Sequence, residues 1–239
     1  MYMNYNNDFD KDFILACELL GKSVSHNDMI EMLKHGNVPE KQFAALSLDN
    51  ISNFEEGEIL VKNLTGCDGK IREAAALKIN KLLNENNSVS NYFNYPKTFA
   101  DATIDINANI CRTVINSVFI LKKNPDFTPI YIKKIIEFAE ESFNEIDKFI
   151  FKDKKYVINK QLFKLYWCLE ALKLFVNDIS PETLLKVLER ASMEQEYTIR
   201  EKVAQILVLT KDEIFNPLKE KIQQDENYYV KTVFGKESS

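Results

Sequence analysis

The chain has 239 residues, of which 45% are hydrophobic, and 31 lysines and arginines against 36 aspartates and glutamates give it a formal net charge of −5. This composition is typical of a globular protein and argues against a disordered or membrane-spanning chain. Two histidines and four cysteines, with no C-x-x-C pair among them, disfavour a metal centre or a dithiol redox site, so we expect no cofactor.

Glycine usage points to the fold class. The chain has six glycines, whereas average usage of about 7% would supply roughly 17. A sheet-rich fold with many tight turns needs more glycine than this. We therefore expect an all-α fold.

The N-terminus and the hydropathy pattern bear on location. The first twelve residues are polar and acidic, unlike a secretory signal, and no apolar run approaches the ~18 residues of a membrane span. We expect a cytoplasmic protein with no membrane partner.

Apolar residues recur at helical spacing, and the breaks between runs resemble helix starts, as at Ser25, Asn37, Thr128-Pro129 and Ser180-Pro181. Irregular insertions are expected near 84–94 and 152–155, within a single domain covering residues 1–239. In chain order the predicted elements are a leading helix at about 10–20 and six helical pairs: 26–35 with 38–52, 55–65 with 69–84, 94–103 with 105–122, 128–150 with 156–176, 181–192 with 197–210, and 212–224 with 227–234.

The second helices of these pairs repeat one pattern. The segment that starts at Glu40 recurs 31 residues later at Ile71, and the one at Ile199 recurs 31 residues later at Val230. Each carries a cation that is preceded, four residues upstream, by an acidic or amide residue suited to cap the helix. These four cations form a row of Lys41, Arg72, Arg200 and Lys231.

In these motifs the chain resembles the HEAT-repeat family of α-solenoids. The segment Asp68-Gly-Lys-Ile71-Arg72-Glu-Ala-Ala75 matches that family's second-helix signature, and Glu196–Arg200 and Asn227–Lys231 are similar to it. The resemblance implies an α-α superhelix, a HEAT-like solenoid of about six helical pairs plus an N-terminal helix. The family includes scaffolds, transport receptors, cofactor lyases and some nucleic-acid enzymes, so the resemblance leaves function open.

The cation row has two interpretations. The four cations Lys41, Arg72, Arg200 and Lys231 form a binding stripe for an acidic partner, or each cation pairs with its own turn or the next repeat as a structural brace. Small residues around the row, such as Ala44 and Ala75, permit close helix packing.

Aromatic residues supply two further candidates. Trp167, the only tryptophan, is either an exposed binding hot spot or part of a central core helix that is apolar on more than one side. Tyr92, Phe93, Tyr95 and Phe99 cluster in and after the first insertion, where they form a recognition patch or anchor the insertion to the solenoid.

No residue set predicts a reaction. Cys67 precedes a helix start, which lowers a thiol pKa, but no histidine lies near it in sequence to act as its base, so a turn residue is the simpler interpretation. The carboxylates are spread at helix-surface spacing. We therefore expect a protein that is not an enzyme.

Nucleic-acid binding is the alternative from a different class. Phosphate recognition normally requires a basic domain rich in arginine, whereas this chain is acidic and has four arginines. Its lysines do concentrate in the middle of the chain, at Lys122, Lys123, Lys133, Lys134, Lys152, Lys154 and Lys155.

The sequence thus favours a non-catalytic scaffold that holds a partner protein or peptide on the concave face of stacked repeats. The residues expected to contact this partner are Arg72, Arg200, Lys231, Trp167, Tyr92 and Tyr95. The alternative is a nucleic-acid-associated protein that uses the central lysines.

Overall fold

The structure of the protein, a computed structural model, describes residues 5–148 and 155–238. These residues form α-helices and short 3-10 helices, and no strand occurs among them. The all-α prediction is confirmed. No helix in this part of the chain is both long and apolar enough to cross a bilayer.

The residues group into two compact units, Met1–Thr128 and Pro129–Ser239, called here the first and second unit. The prediction of one continuous domain stays a prediction. The helices of the first unit are α1 (Tyr5–Leu20), α2 (His26–His35), α3 (Val38–Ser47), α4 (Phe54–Lys62), α5 (Gly69–Glu85), α6 (Pro96–Thr103) and α7 (Ala108–Leu121), with a 3-10 helix at Asn87–Phe93.

Helix pairing in the first unit follows the predicted repeats. The second helices α3, α5 and α7 pack side by side, α3 on α5 and α5 on α7, and α2, α4 and α6 each contact the second helix of their own pair. Alanines in α3 and α5, including Ala44 and Ala75, are fully buried and let the helix backbones approach closely. The shared core is therefore built from small residues and branched aliphatic ones.

The second helices begin at polar caps that the sequence predicts. The Asn37 side chain accepts a hydrogen bond from the Glu40 backbone N–H, and the Asn37 backbone N–H donates to the Glu40 carboxylate. The two bonds make a complete capping box at α3. Asp68 caps α5 and Asn107 caps α7 in the same way, through side-chain oxygens that accept backbone N–H groups. These caps fix where each second helix starts.

The second unit has the same organisation. Its second helix α11 packs against α9 and α13. Helix α10 contacts α11 within its own pair, and α12 contacts both α11 and its own pair partner α13. The helices are α8 (Thr128–Lys148), α9 (Lys155–Leu172), α10 (Pro181–Ala191), α11 (Tyr197–Leu209), α12 (Asn216–Gln223) and α13 (Tyr228–Lys231), with 3-10 helices at Lys173–Phe175, Glu213–Phe215 and Thr232–Ser238.

Three predicted segments differ from the structure. The helix predicted to reach residue 52 ends at Ser47, because Leu48 is extended and a non-helical segment with buried Ile51 leads into the next cap at Asn53. The last helix is four residues long and continues as a 3-10 helix, where Thr232 and Val233 disfavour α-helix. The insertion near 84–94 is largely regular, a 3-10 helix, and residues 152–154 of the second insertion lie outside the described part.

Candidate functional site

Arg72 joins two successive helical pairs. Its Nε donates to Asp105 Oδ2 at 2.6 Å and its Nη2 to Oδ1 at 3.2 Å, so the two side chains form a bidentate pair. Its Nη1 donates to the backbone carbonyls of Gly66 and Cys67, at 2.9 and 3.0 Å, in the turn before its own helix. The guanidinium therefore holds its own turn and the following repeat together.

Arg200 makes the same arrangement in the second unit. It pairs with Asp225 at 2.6 and 3.1 Å and donates to the carbonyls of Glu194 and Gln195, both at 2.8 Å. The bond from Arg200 lowers the pKa of Asp225 below its ordinary value. Both aspartates also accept the backbone N–H of the next helix cap, Asn107 in one case and Asn227 in the other, at 2.8 Å. We call this arrangement the arginine brace.

The remaining positions of the row behave differently. Cys111 takes the equivalent place in α7, where its thiol donates to the carbonyl of Asp105 at 3.0 Å, and burial raises the thiol pKa to about 12. Lys41 is half-buried and Lys231 is exposed. The geometry at Arg72 and Arg200 favours the structural alternative for those two residues, and partner contact by Lys231 stays a prediction.

Trp167 lies in the core of the second unit. Its side chain is 6% exposed and packs edge-to-face against Tyr166, with ring centroids 5.3 Å apart. An indole in this position has little surface to offer to a partner. Its burial favours the core alternative, so we leave Trp167 out of the proposed binding surface.

Two of the four aromatic residues in and after the first insertion are buried. Phe93 and Phe99 are fully buried, and the insertion helix Asn87–Phe93 packs on α4, α5 and α7. Gly57 in α4 permits this approach, because a Cβ there would lie 2.3 Å from the backbone oxygen of Tyr92. The backbone of the insertion therefore rests directly on α4.

The other two aromatics of the cluster remain at the surface. Tyr92 is half-buried and packs edge-to-face against the exposed Phe54, with centroids 5.1 Å apart. Tyr95 lines a surface groove beside them, where burial and the nearby Glu58 raise the pKa of its hydroxyl. The insertion thus combines an anchor with a surface patch, and partner binding by Tyr92 and Tyr95 stays a prediction.

The second helices of the first unit share an exposed face that sequence reasoning missed. Leu46 in α3 and Leu77 in α5 both lie nine residues after their caps, and both are about half exposed. On α7, Asn116 occupies the same register and Phe119 follows one turn later, both exposed. Because α3, α5 and α7 pack side by side, these positions form one surface, which we call the second-helix face.

A group of exposed tyrosines in the second unit was also missed. Tyr197 stacks on Tyr229 with centroids 6.0 Å apart, and Tyr228 packs edge-to-face against Tyr229 at 5.8 Å. All three tyrosines follow helix caps, and their local sequence does not indicate that they lie together. Tyr197 lies 31 residues before Tyr228, the repeat length, and this was the available signal.

The central lysines are engaged to different degrees. In the first unit, Lys122 lies over the Phe119 ring at 5.2 Å. In the second unit, Lys133 is exposed, and Lys134 pairs with Glu137 at 3.4 Å and lies over the Phe138 ring at 4.5 Å. Lys123 is exposed, Lys155 begins α9, and Lys152 and Lys154 lie outside the described residues.

Cys67 is exposed in the turn before α5, and its backbone carbonyl accepts from Arg72. Among the residues that the structure describes, no group of three or more His, Cys, Asp or Glu side chains is placed to hold a metal ion.

Comparison with known proteins supports the fold. No protein-family model and no curated protein sequence matches the chain. The fold is similar to that of an engineered protein solved by a structural genomics consortium, with a TM-score of 0.51 and 10% identity over 89% of this chain and 96% of that one. It is also similar to a computationally designed armadillo repeat protein for modular peptide recognition, with a TM-score of 0.50 and 12% identity over 88% and 97% of the two chains. The chain therefore has an α-solenoid repeat fold, and assignment to the HEAT class in particular stays a prediction.

Proposed function

We propose that the protein is a non-catalytic scaffold that binds a partner protein or peptide on the second-helix face of its first unit. The observation that carries this proposal is the shared register of Leu46 and Leu77 on adjacent helices, with Asn116 and Phe119 continuing the surface on the third. Single exposed apolar residues are common on protein surfaces, but a row repeated from helix to helix offers a continuous contact.

The chemistry of this face suits an extended peptide. The leucines and Phe119 supply apolar contact area, and the amide of Asn116 can both donate to and accept from a peptide group. Asn80 and Asn84 on α5 add further amides beside them, and Asn80 already reaches α7 by donating to Ser117 at 3.3 Å. The fold similarity to a repeat protein designed for peptide recognition agrees with this use.

The contribution of the two leucines to partner affinity can be calculated from their exposed side-chain area. Leu46 and Leu77 are 49% and 48% exposed, so about half of each side chain remains to be buried by a partner. Full burial of leucine is worth roughly 1.5–3 kcal/mol, so the two exposed halves together contribute about 2 kcal/mol. Loss of both corresponds to an affinity about 30-fold weaker.

A peptide-display selection tests the proposal. Random peptides are selected on the intact protein, and their affinities are then measured for the Leu46→Ser/Leu77→Ser variant and for Leu20→Ser, which removes an exposed leucine on α1. We expect selected peptides to lose about 30-fold in affinity for the double variant and to bind the control as they bind the parent. Equal binding to all three proteins contradicts the proposal.

A further inference from the structure

The groove beside the first insertion has a lining unlike the second-helix face. It is formed by Phe54 at the start of α4, by Asn91, Asn94 and Tyr95 of the insertion, and by Asn124 and Asp126 after α7. All of these residues belong to the first unit. We call this site the insertion groove.

The backbone that forms the insertion groove is held in place. Buried Phe93 and the contact of the Tyr92 backbone with Gly57 fix the insertion on α4. On the opposite side, Asn124 Oδ1 accepts the backbone N–H of Asp126 at 3.0 Å and so fixes the turn. A ligand would therefore meet a preformed backbone, and only the side chains of the groove would have to be ordered on binding.

Apart from Asn124, the polar side chains of the groove form no hydrogen bond within the described part of the fold. Within the described residues, the side chains of Asn91, Asn94 and Asp126 form no hydrogen bond, and neither does the Tyr95 hydroxyl. Together they offer the two amide oxygens, the hydroxyl oxygen and both carboxylate oxygens as acceptors. A ligand rich in N–H donors matches this set.

Charge selects the class of donor. Asp126 is the one ionisable acid or base with its side chain in the lining, apart from the neutral Tyr95, and no lysine or arginine lines the groove among the described residues. Residues 1–128 carry 13 lysines and arginines against 17 aspartates and glutamates, a balance that favours a cation, although Lys62 of α4 lies close enough to interact electrostatically with Tyr95. An acidic or phosphorylated ligand would be repelled.

The aromatic wall distinguishes between cations. Phe54 lines the groove and is 62% exposed, and an exposed aromatic ring attracts a cation placed over its face. A guanidinium is planar, stacks on aromatic rings and carries five N–H donors, whereas an ammonium is a compact, strongly hydrated charge. The groove offers the planar contact and the several acceptors that suit the guanidinium.

We propose that the insertion groove binds the guanidinium of an arginine side chain in a partner protein, with Asp126 as its anionic partner and Phe54 as its stacking surface. The site is separate from the second-helix face and does not depend on the function proposed for that face. A partner that carries both a peptide segment for the face and an arginine for the groove would gain affinity from the two together.

The test uses the full chain and a short capped peptide with one central arginine, followed by two-dimensional NMR of labelled protein. Matched peptides carry citrulline, which keeps the shape and removes the charge, or lysine in the same place. We expect the arginine peptide to shift signals of Asn91, Asn94 and Asp126. The citrulline peptide should bind at least about tenfold more weakly, because it cannot form charge-assisted hydrogen bonds to Asp126. The lysine peptide should fall between them.

Two variants complete the design. Asp126→Asn removes the carboxylate with little change of shape and should weaken the arginine peptide about tenfold, whereas Asp49→Asn, an exposed acid outside the groove, should leave it unchanged. The proposal is overturned if citrulline and arginine peptides bind alike, if Asp126→Asn has no effect, or if no groove signal shifts up to about 10 mM peptide. The peptide comparison uses the unaltered protein, so it does not depend on the folding of a variant.

Discussion

Removal of Arg200 should destabilise the second unit by about 3–4 kcal/mol. The Arg200→Ala variant loses two hydrogen bonds to Asp225 and two to backbone carbonyls. The Arg200 and Asp225 side chains are 18% and 8% exposed, so Asp225 would be left nearly buried with one backbone N–H as its partner. Removing one member of a buried pair costs about 3–5 kcal/mol, and we take the lower part of this range because Arg200 is partly solvated.

Arg190→Ala is the matched control. Arg190 also makes several bonds in the second unit, but its partners Glu140 and Asp147 are 43% and 67% exposed. Pairs of this kind contribute about 1 kcal/mol or less. The two variants therefore compare the same residue type in a buried and in an exposed setting.

The assay is urea unfolding followed by Trp167 fluorescence. Trp167 is the only tryptophan, and its helix α9 packs against α11, which carries Arg200. Unfolding of Arg200→Ala should occur at clearly lower urea than unfolding of Arg190→Ala. Combining Arg200→Ala with Asp225→Asn should restore at least about 1 kcal/mol, because the buried charge is removed. Equal unfolding free energies for the two single variants would refute the arginine brace as a stabilising element.

Three other predictions concern the acid, the insertion and the thiols. The arginine partner of Asp225 lowers its folded-state pKa below 3.8, so the stabilising contribution of this carboxylate should be present above about pH 4 and lost as the pH falls through the lowered pKa. The urea midpoints of the parent protein and of Asp225→Asn should therefore converge at low pH. A difference between the two midpoints that stays constant with pH would contradict the assignment. Gly57→Ala should lower the free energy of unfolding by about 2 kcal/mol or more, because the added Cβ would meet the insertion backbone. Gly66 has open space around it, so Gly66→Ala should be nearly neutral in thermal unfolding. Equal effects of the two substitutions would contradict the docking of the insertion. In the native protein, iodoacetamide should leave Cys111 unmodified and label exposed Cys67, as read by peptide mass spectrometry; labelling of Cys111 at the same rate would contradict its burial.

Local features of the fold could be predicted from the sequence. The caps Asn37, Asp68 and Asn227 were identified from residue type and spacing alone, because a cap acts within its own first turn. The 31-residue step between equivalent helices followed from the same pattern. Helix ends were predicted less well, as α3 shows, because they depend on where the chain must turn to meet its neighbour.

The arginine brace was predicted in kind but without its partners. Arg72 finds its aspartate 33 residues later and Arg200 finds its aspartate 25 residues later, so no fixed spacing identifies them. The shared signal was an Asp two residues before an Asn cap, in Asp105-Ile-Asn107 and Asp225-Glu-Asn227. Loop length between pairs varies, and the contact becomes evident only when the helices are packed.

The candidate surfaces could not be predicted because exposure is a tertiary property. Leu46 and Leu77 have the same residue type and helical spacing as leucines of the core. Only the packing of α3 on α5 leaves their side chains exposed to solvent. The insertion was expected to be irregular because it is rich in Asn and Ser, yet burial of Val89 and Phe93 against the neighbouring helices orders it as a 3-10 helix. In both cases neighbouring helices decide the outcome.

Photo-cross-linking locates the peptide-binding surface on the first unit. A photoreactive phenylalanine analogue is placed at position 77, or at position 20 as the control, and irradiated with a peptide selected on the unaltered protein. We expect a covalent adduct from position 77 and none from position 20, with the adduct suppressed by excess unlabelled peptide. A peptide that binds the labelled protein with its original affinity and yet forms no adduct at position 77 would contradict the assignment of the binding face.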